Sequence, residues 1–318
     1  MSVKKMVYIF RHRQVLFLIF MICLVTILNG VIIAPKAQEN SSTNQDNKET
    51  SESRQQKEKT NSKLDEEAPL VPPQMEIKLR TPEESQLKRV ITNRAFGPGE
   101  RLEFSVGYGV IKAGTAVMEI PDMVKLNGNK CFHLVSTAQS NKVFSVFFKV
   151  DDKVESFMDA YGLFSLQYDK HLREGKFKSD MSMTFDQENH FALYNTGKDT
   201  LQVPEYVQDV LSAFYFVRTQ DLQVGKSIFV DNHTDKKTYS LEVRVIRKEK
   251  VKVEAGVFNC LVIEPMLKTP GIFEQKGSLT VWLTDDATKM PVLMKSKVII
   301  GSISTELMNY KLGEVGKY

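Results

Sequence analysis

Four acids crowd one short stretch: Asp151, Asp152, Glu155 and Asp159. Paired carboxylates are the machinery of glycoside hydrolysis, one acting as acid and the other as nucleophile or base. On a strand, side chains alternate between faces. Asp151, Glu155 and Asp159 then share one face, and a face of acids is ordinarily the solvated one. The five histidines, His12, His133, His171, His190 and His233, show no close metal-ligand spacing. His133, between Phe132 and Leu134, reads as a sheet residue.

Cys131 and Cys260 lie in strand-like segments and leave two readings open: a disulfide in an oxidising compartment, or two separately buried thiols. No histidine is tied to either, so a catalytic thiol is not indicated. Asp285 and Asp286 follow Trp282 and suit a turn for backbone reasons. Trp282 itself is expected in a strand with bulk on both faces. Gly107, Gly109 and Gly114 are too irregular for a phosphate cradle and read as strand bends. Neither a nucleophile elbow nor a phosphate loop is present. The chain is read as more plausibly non-enzymatic, with no cofactor and no metal.

The net charge of +4 is modest. Lys236, Lys237, Arg244, Arg247, Lys248, Lys250 and Lys252 gather some of it. That run fits a solvated hairpin or a contact with anionic lipid or polysaccharide. Nucleic acid is not an expected partner.

The chain opens with Lys4, Lys5, Arg11 and Arg13, then an uncharged apolar run from Val15 to Ala34. Positive charge followed by about 20 apolar residues is the pattern of an export signal or a signal anchor. Four segments are expected: a cytoplasmic basic stretch over 1–14, a membrane anchor or signal over 15–34, a polar disordered tether over 35–93 with a short helix near 82–90, and one β-rich domain over 94–318. An uncleaved transmembrane helix would place the chain in the inner membrane, single-pass, with its C-terminal domain in the periplasm. The alternative is secretion to the periplasm after signal cleavage. Cys23 lies between Ile22 and Leu24, too bulky for lipid attachment.

The domain reads mostly as strands. Leu102, Phe104, Val106 and Tyr108 alternate after the Gly97-Pro98-Gly99 turn, and Ala116, Met118 and Ile120 follow. Asn127-Gly128 marks a hairpin turn. Phe144 to Phe157 can hold one or two strands. Met181, Met183 and Phe185 alternate, and residues 190–195 return antiparallel to them. Tyr206, Val210, Phe214 and Val217 recur at helical spacing, which predicts a helix over about 204–219 with Pro204 in its first turn. Tyr239, Leu241, Val243 and Val245 return to strand alternation. The fold class is mainly β: a curved antiparallel sheet or open barrel packed on a central helix.

Five stretches resemble the bacterial DUF3108 family. They are FGPGERLEFSVGYGVIKAGTAVMEI at 96–120, DVLSAFYFVR at 209–218, TYSLEVRV at 238–245, KVEAGVFNCLVIEP at 252–265 and GSLTVWLTDDATKMPVLMKSKVIIGSISTEL at 277–307. Together they span about 94–311. The resemblance implies an exported cell-envelope protein with no agreed activity, and a fold similar to the curved open barrels of lipoprotein carriers.

The expected function is a non-catalytic envelope binding or assembly protein for a lipid or other amphipathic ligand. Phe144, Phe147, Phe148, Phe214 and Phe216 would line its site. The alternatives are a structural module that binds an envelope protein and, second, a glycan or lipid hydrolase.

Overall fold

The computed structural model describes residues 87–195, 197, 199–266, 279–297 and 301–316. The first strands are β1 (Glu100–Tyr108), β2 (Ile111–Ile120), β3 (Met123–Leu126) and β4 (Asn129–Ser140). A single helical turn, α1 (Lys142–Ser145), leads to β5 (Asp151–Asp159), β6 (Ser165–Glu174), β7 (Phe177–Asp186), β8 (Phe191–Tyr194) and β9 (Asp199–Gln202). Helix α2 (Val210–Arg218) precedes β10 (Ser227–Thr234), β11 (Lys237–Val253) and β12 (Gly256–Met266). The chain finishes with β13 (Leu279–Thr284), β14 (Pro291–Lys297) and β15 (Ser302–Lys311).

The fifteen strands of the described residues form one antiparallel sheet. Its order is β10-β11-β12-β13-β14-β15-β1-β2-β4-β5-β6-β7-β8-β9, with β3 hairpinned onto β4. The sheet is curved and open, ending in β10 on one side and β9 on the other. Most neighbours in this order are neighbours in sequence, because short turns bring successive strands together. At Asn127-Gly128 both residues have positive φ, 49° and 86°, the geometry a two-residue hairpin of this type requires. Gly114 serves another purpose. A Cβ there would fall 2.1 Å from the Gln139 carbonyl oxygen, so only glycine lets β2 approach β4 so closely.

Helix α2 packs against β4, β5 and β10. It is shorter than its periodicity predicts. Tyr206 takes a left-handed φ of 58°, which a helix cannot contain. Gln208 then bridges β10, its N–H donating to Asp231 O at 2.9 Å and its carbonyl accepting from His233 N at 2.8 Å. The helix begins only at Asp209, whose side chain caps Leu211 N and Ser212 N while Ser212 Oγ accepts from Asp209 N. The Phe144–Phe157 stretch also differs from a simple strand reading. Asn141 caps α1 through Phe144 N, and only then does β5 begin.

The main core is one cluster that includes Leu102, Phe104, Leu134, Tyr215, Val243, Leu261, Val281, Val292 and Leu307. In β12 to β14 burial is continuous: Cys260 to Ile263, Val281 to Thr284 and Pro291 to Met294 are all buried. Trp282 is 7% exposed, across the ladder from Val262 and Leu293. Both faces of this part of the sheet are therefore covered, as expected from the bulk flanking Trp282.

One correction concerns the membrane. The anticipated transmembrane signal anchor, the inner-membrane single-pass placement and the membrane partnership through the N-terminal segment are not carried forward. Among the described residues no helix is long and apolar enough to cross a bilayer. The run over 15–34, on which those expectations rest, lies outside the described residues, as do His12 and residues 35–86 of the tether expected over 35–93. Residues 87–93 are described, form no helix and bond to the domain, Arg89 Nε donating to Gly162 O at 2.7 Å and Ile91 N to Tyr161 O at 2.9 Å.

Candidate functional site

Polar chemistry gathers in the half of the interior built by β5, β6, β8 and β10. Inward positions of β5 carry Asp152, Val154, Ser156 and Met158, and those of β6 carry Tyr168, Lys170, Leu172 and Glu174. Asp209 is the hub at the helix start. It is fully buried and accepts from Ser156 Oγ at 2.6 Å and from Ser165 Oγ, besides the two backbone N–H groups it caps. Burial raises its pKa, while these donors oppose the rise. Four donors on one carboxylate fix the helix to β5 and β6.

Around this hub the network divides. Lys170, 6% exposed, pairs with Asp235 at 2.7 Å. His233 meets the Tyr194 hydroxyl at 3.0 Å and Thr238 Oγ1 at 2.6 Å, and burial pushes its imidazole down to about 4, so it is neutral. Asn232 and Thr234 share a face with Tyr239 across the β10–β11 ladder. The amide of Asn232 and the hydroxyls of Thr234, Tyr239 and Tyr168 have no hydrogen-bond partner among the described residues. Groups left in this way are ordinarily met by buried water.

Asp152 and Glu174 form a buried acid pair, 2% and 1% exposed. Asp152 accepts from Arg173 N at 2.7 Å. Burial, with the neighbouring Asp152 carboxyl, pushes Glu174 up to about 8; burial pushes Asp152 to about 6. Two carboxyls with separated proton affinities are the raw material of acid–base catalysis. Here neither reaches the surface.

At the other end of α2, Arg218 and Glu100 are fully buried and joined in a bidentate pair at 2.7 and 2.8 Å. Arg218 also donates to Ala95 O and Thr288 O, both at 3.2 Å, and lies over the Phe96 and Tyr215 rings. The helix is thus pinned by charge at both ends.

The residues picked out by sequence fall as follows. Asp151 is exposed; Glu155 pairs with His133 at 2.9 Å and with Lys153 at 2.9 Å. Asp159 is buried and accepts from Tyr161 N and Gly162 N, a turn role. His171 pairs with Asp180, and His133 stacks on Phe157. Among the described residues no cluster of His, Cys, Asp and Glu could hold a metal ion. Cys131 and Cys260 are free and buried, on β4 and β12, with β13, β14, β15, β1 and β2 between them. This is the separate-thiol reading. Burial raises them to about 12 and about 11, which leaves both as unreactive thiols. Asp286 caps its turn through Thr288 N and Lys289 N, as its sequence context predicts. Four cations of the basic run are paired: Lys236 with Asp199, Arg244 with Glu242, Arg247 with Glu249 and Lys248 with Asp285.

The five phenylalanines expected to line one site do not meet. Phe214 and Phe216 are half-buried against the main core. Phe144 and Phe148 form a separate small cluster with Ala113 and Val150, and Phe147 is 50% exposed. Sequence reasoning missed the Asp209 hub, the Asp152–Glu174 pair and Glu100–Arg218. The Asp209-Leu211-Ser212 capping pattern was readable; the two pairs, which join separate elements, had no local signal.

A curved open antiparallel sheet wrapped round one short helix, with a polar interior half, defines the class. The chain belongs to the DUF3108 family of proteins of unknown function, whose model matches residues 103–308. It is similar to a β-barrel-like protein of the DUF1849 domain of unknown function from Brucella abortus, with 10% identity over 69% of this chain and 99% of that one, at a TM-score of 0.47. It also matches a DUF1089 family protein from Pseudomonas aeruginosa, with 10% identity over 65% and 95% of the two chains, at a TM-score of 0.32. No curated protein matches it.

Proposed function

We propose that this chain is a non-catalytic interaction module of the cell envelope, acting through its outer surface. The observation that carries this reading is where apolar surface is spent. Of the nine residues of α2, seven are buried. The helix therefore commits most of its side chains to the core against β4, β5 and β10, which leaves little of its surface for an acyl chain. Of the large apolar side chains left exposed, six lie at one end of the sheet: Val110 and Ile111 on the β1–β2 turn, Val143, Val146 and Phe147 around α1, and Phe177 at the β6–β7 turn; others, such as Val90, Val224, Phe229 and Val257, stand on other segments. Patches of this kind mark contact surfaces on exported and cytosolic proteins alike. The export pattern of the N-terminal residues and the family resemblance support an envelope setting, in which the chain is periplasmic after signal cleavage.

A lipid carrier is the rival reading, and one experiment separates the two. Native mass spectrometry is run on protein purified without detergent, with lipid extraction alongside. The expected result is the bare chain mass. Co-purifying acyl species that disappear in a Phe214→Asp variant that still folds would overturn the interaction reading and restore the carrier.

A further inference from the structure

Resting on that reading, we propose that this end of the sheet docks on the surface of an anionic phospholipid bilayer: its apolar loop tips enter the headgroup layer and its lysines bind the lipid phosphates. The contact needs no spanning helix and nothing of residues 15–34.

Topology puts the tips together. In the order β1-β2-β4-β5-β6-β7, antiparallel pairing makes β1, β4 and β6 run the same way. The β1–β2 turn, the α1 connection and the β6–β7 turn therefore leave the sheet at one end. Contacts join them into one surface. Asn141 Nδ2 donates to Lys112 O at 2.7 Å and Asn141 N donates to Ala113 O at 2.9 Å, tying the α1 connection to β2. Gly175 N donates to Lys149 O at 2.7 Å, and the Phe148 ring lies so close that a Cβ on Gly175 would meet it at 3.0 Å. The apolar residues are held outward by these contacts: Val146 is 81% exposed and Val110 fully so.

Charge selects the partner. Lys112, Lys142, Lys149, Lys176 and Lys178 are all exposed on these same three connections. Exposed carboxylates nearby are Glu254, Asp151 and Asp180, the last paired with Arg173 at 2.7 Å and His171 at 2.8 Å. Glu254 pairs with Lys112 at 3.5 Å, and Asp151 accepts from Gln139 at 3.1 Å. Lysine is depleted in protein–protein interfaces. It suits a lipid surface, where its apolar stem lies in the interface and its ammonium reaches phosphate. Shape points the same way. Several protruding tips can touch a plane at once, and each carries one to three large apolar side chains flanked by lysine. Neither feature binds stably alone, since apolar tips of this size and a few lysines are each a partial signal; together they make the two-signal arrangement that reversible membrane contact requires.

The test is co-sedimentation of the exported protein, purified without detergent, with two vesicle preparations: equal parts phosphatidylglycerol and phosphatidylcholine, and phosphatidylcholine alone. Binding is expected to the first, falling at least about tenfold on the second and in high salt, where the lysines are screened. A Val110→Asp, Val146→Asp, Phe147→Asp variant and a Lys142→Glu, Lys149→Glu, Lys176→Glu variant should each lose at least about tenfold in binding while melting as the parent does. These residues are exposed, so folding should survive, and any binding through another segment is common to all three proteins. Wild-type protein that ignores phosphatidylglycerol vesicles, or variants that bind as well as wild type, would overturn the proposal. If vesicles are ignored but the same substitutions abolish a cross-link to an envelope protein, the bilayer is the wrong partner and the interaction module stands. Acyl species found in the native mass spectrum would instead sink the module itself.

Discussion

The two halves of the interior are built from opposite materials. On β12 to β14 both faces are covered, and the buried residues run on as valine, leucine, isoleucine, methionine and tryptophan. On β5, β6 and β10 the inward rows interleave apolar side chains with Asp152, Ser156, Tyr168, Lys170, Glu174, Asn232 and Thr234. The first half is held by area removed from water, which is non-directional and tolerant of repacking. The second depends on partners with fixed geometry, and a buried charge left without its partner is costly. Helix α2 joins the two, with Asp209 bound to the polar strands and Arg218 to Glu100 on β1. The difference teaches that the helix is positioned by charge at its ends and by packing along its length.

Breaking one end of the helix should have the largest effect. Arg218→Met leaves Glu100 buried without its cation and should cost about 3–5 kcal/mol in denaturant melts. Replacing both, Arg218→Met with Glu100→Met, should recover much of that loss. Single and double variants that melt alike would mean the pair is not what positions the helix. Trp282→Ala, on the apolar side, should cost a comparable ~3–5 kcal/mol through lost packing alone. Asp209→Ala should cost somewhat less, about 2–4 kcal/mol, since it removes a cap and orphans two serine hydroxyls. If Asp209→Ala melts within about 0.5 kcal/mol of the parent, the polar half does not hold the helix.

These halves differ equally in how far sequence revealed them. The strands were legible because alternation is local: Leu102 to Tyr108, Met181 to Phe185 and Tyr239 to Val245 all lie in the strands their periodicity predicts. So was the Asn127-Gly128 turn. The polar interior was not legible, because its pairs join distant elements. Glu174 faces Asp152 from the next strand, and Glu100 and Arg218 lie 118 residues apart. Parity hid Asp152 as well: attention to the shared face of Asp151, Glu155 and Asp159 picks a row that is outward until Asp159 is buried at the strand end, and Asp152 is on the other row. The helix start was misplaced because apolar spacing continues through Tyr206 and Val207, although Tyr206 is left-handed and Gln208 bridges β10. The phenylalanines failed as one site for a related reason: α1 and α2 each carry aromatics, but sequence does not say that they belong to separate clusters.

A smaller effect should separate the halves by pH. Glu174 holds its proton up to about 8 in the folded chain and would lose it near its ordinary value of 4.5 when unfolded. The folded state therefore binds the proton more tightly. Its contribution is fully present below about pH 4.5 and is lost as pH rises toward 8. Glu174→Gln keeps the shape, removes that titration and should raise the melting midpoint at pH 8 by ~2–4 °C while changing little at pH 4.5. His233 acts in the opposite sense. Its depressed pKa of about 4 gives stability that is present above about pH 6.5 and lost on acidification. A Glu174→Gln variant whose midpoint follows the parent at both pH values would show that the acid pair is hydrated and carries no strain.

The finest distinction is whether the polar half is fully satisfied, and Tyr168 is the place to ask. Its side chain is fully buried and its hydroxyl has no partner among the described residues, while burial and the nearby Asp209 hold its pKa well above the ordinary value. A buried hydroxyl without a partner loses its hydration and gains nothing in return. Tyr168→Phe removes only that oxygen and leaves the ring among Met183 and its neighbours. The expected outcome in urea melts is no loss, or a gain of up to ~1 kcal/mol. A loss of about 1 kcal/mol or more would mean that the hydroxyl is bonded, with water as the partner the site has room to hold, and the polar half would then be a hydrated network instead of a dry one. The same substitution logic applied to Leu261 or Val281 could not give a gain, because there every buried atom already contributes by packing, and removing one only opens a cavity.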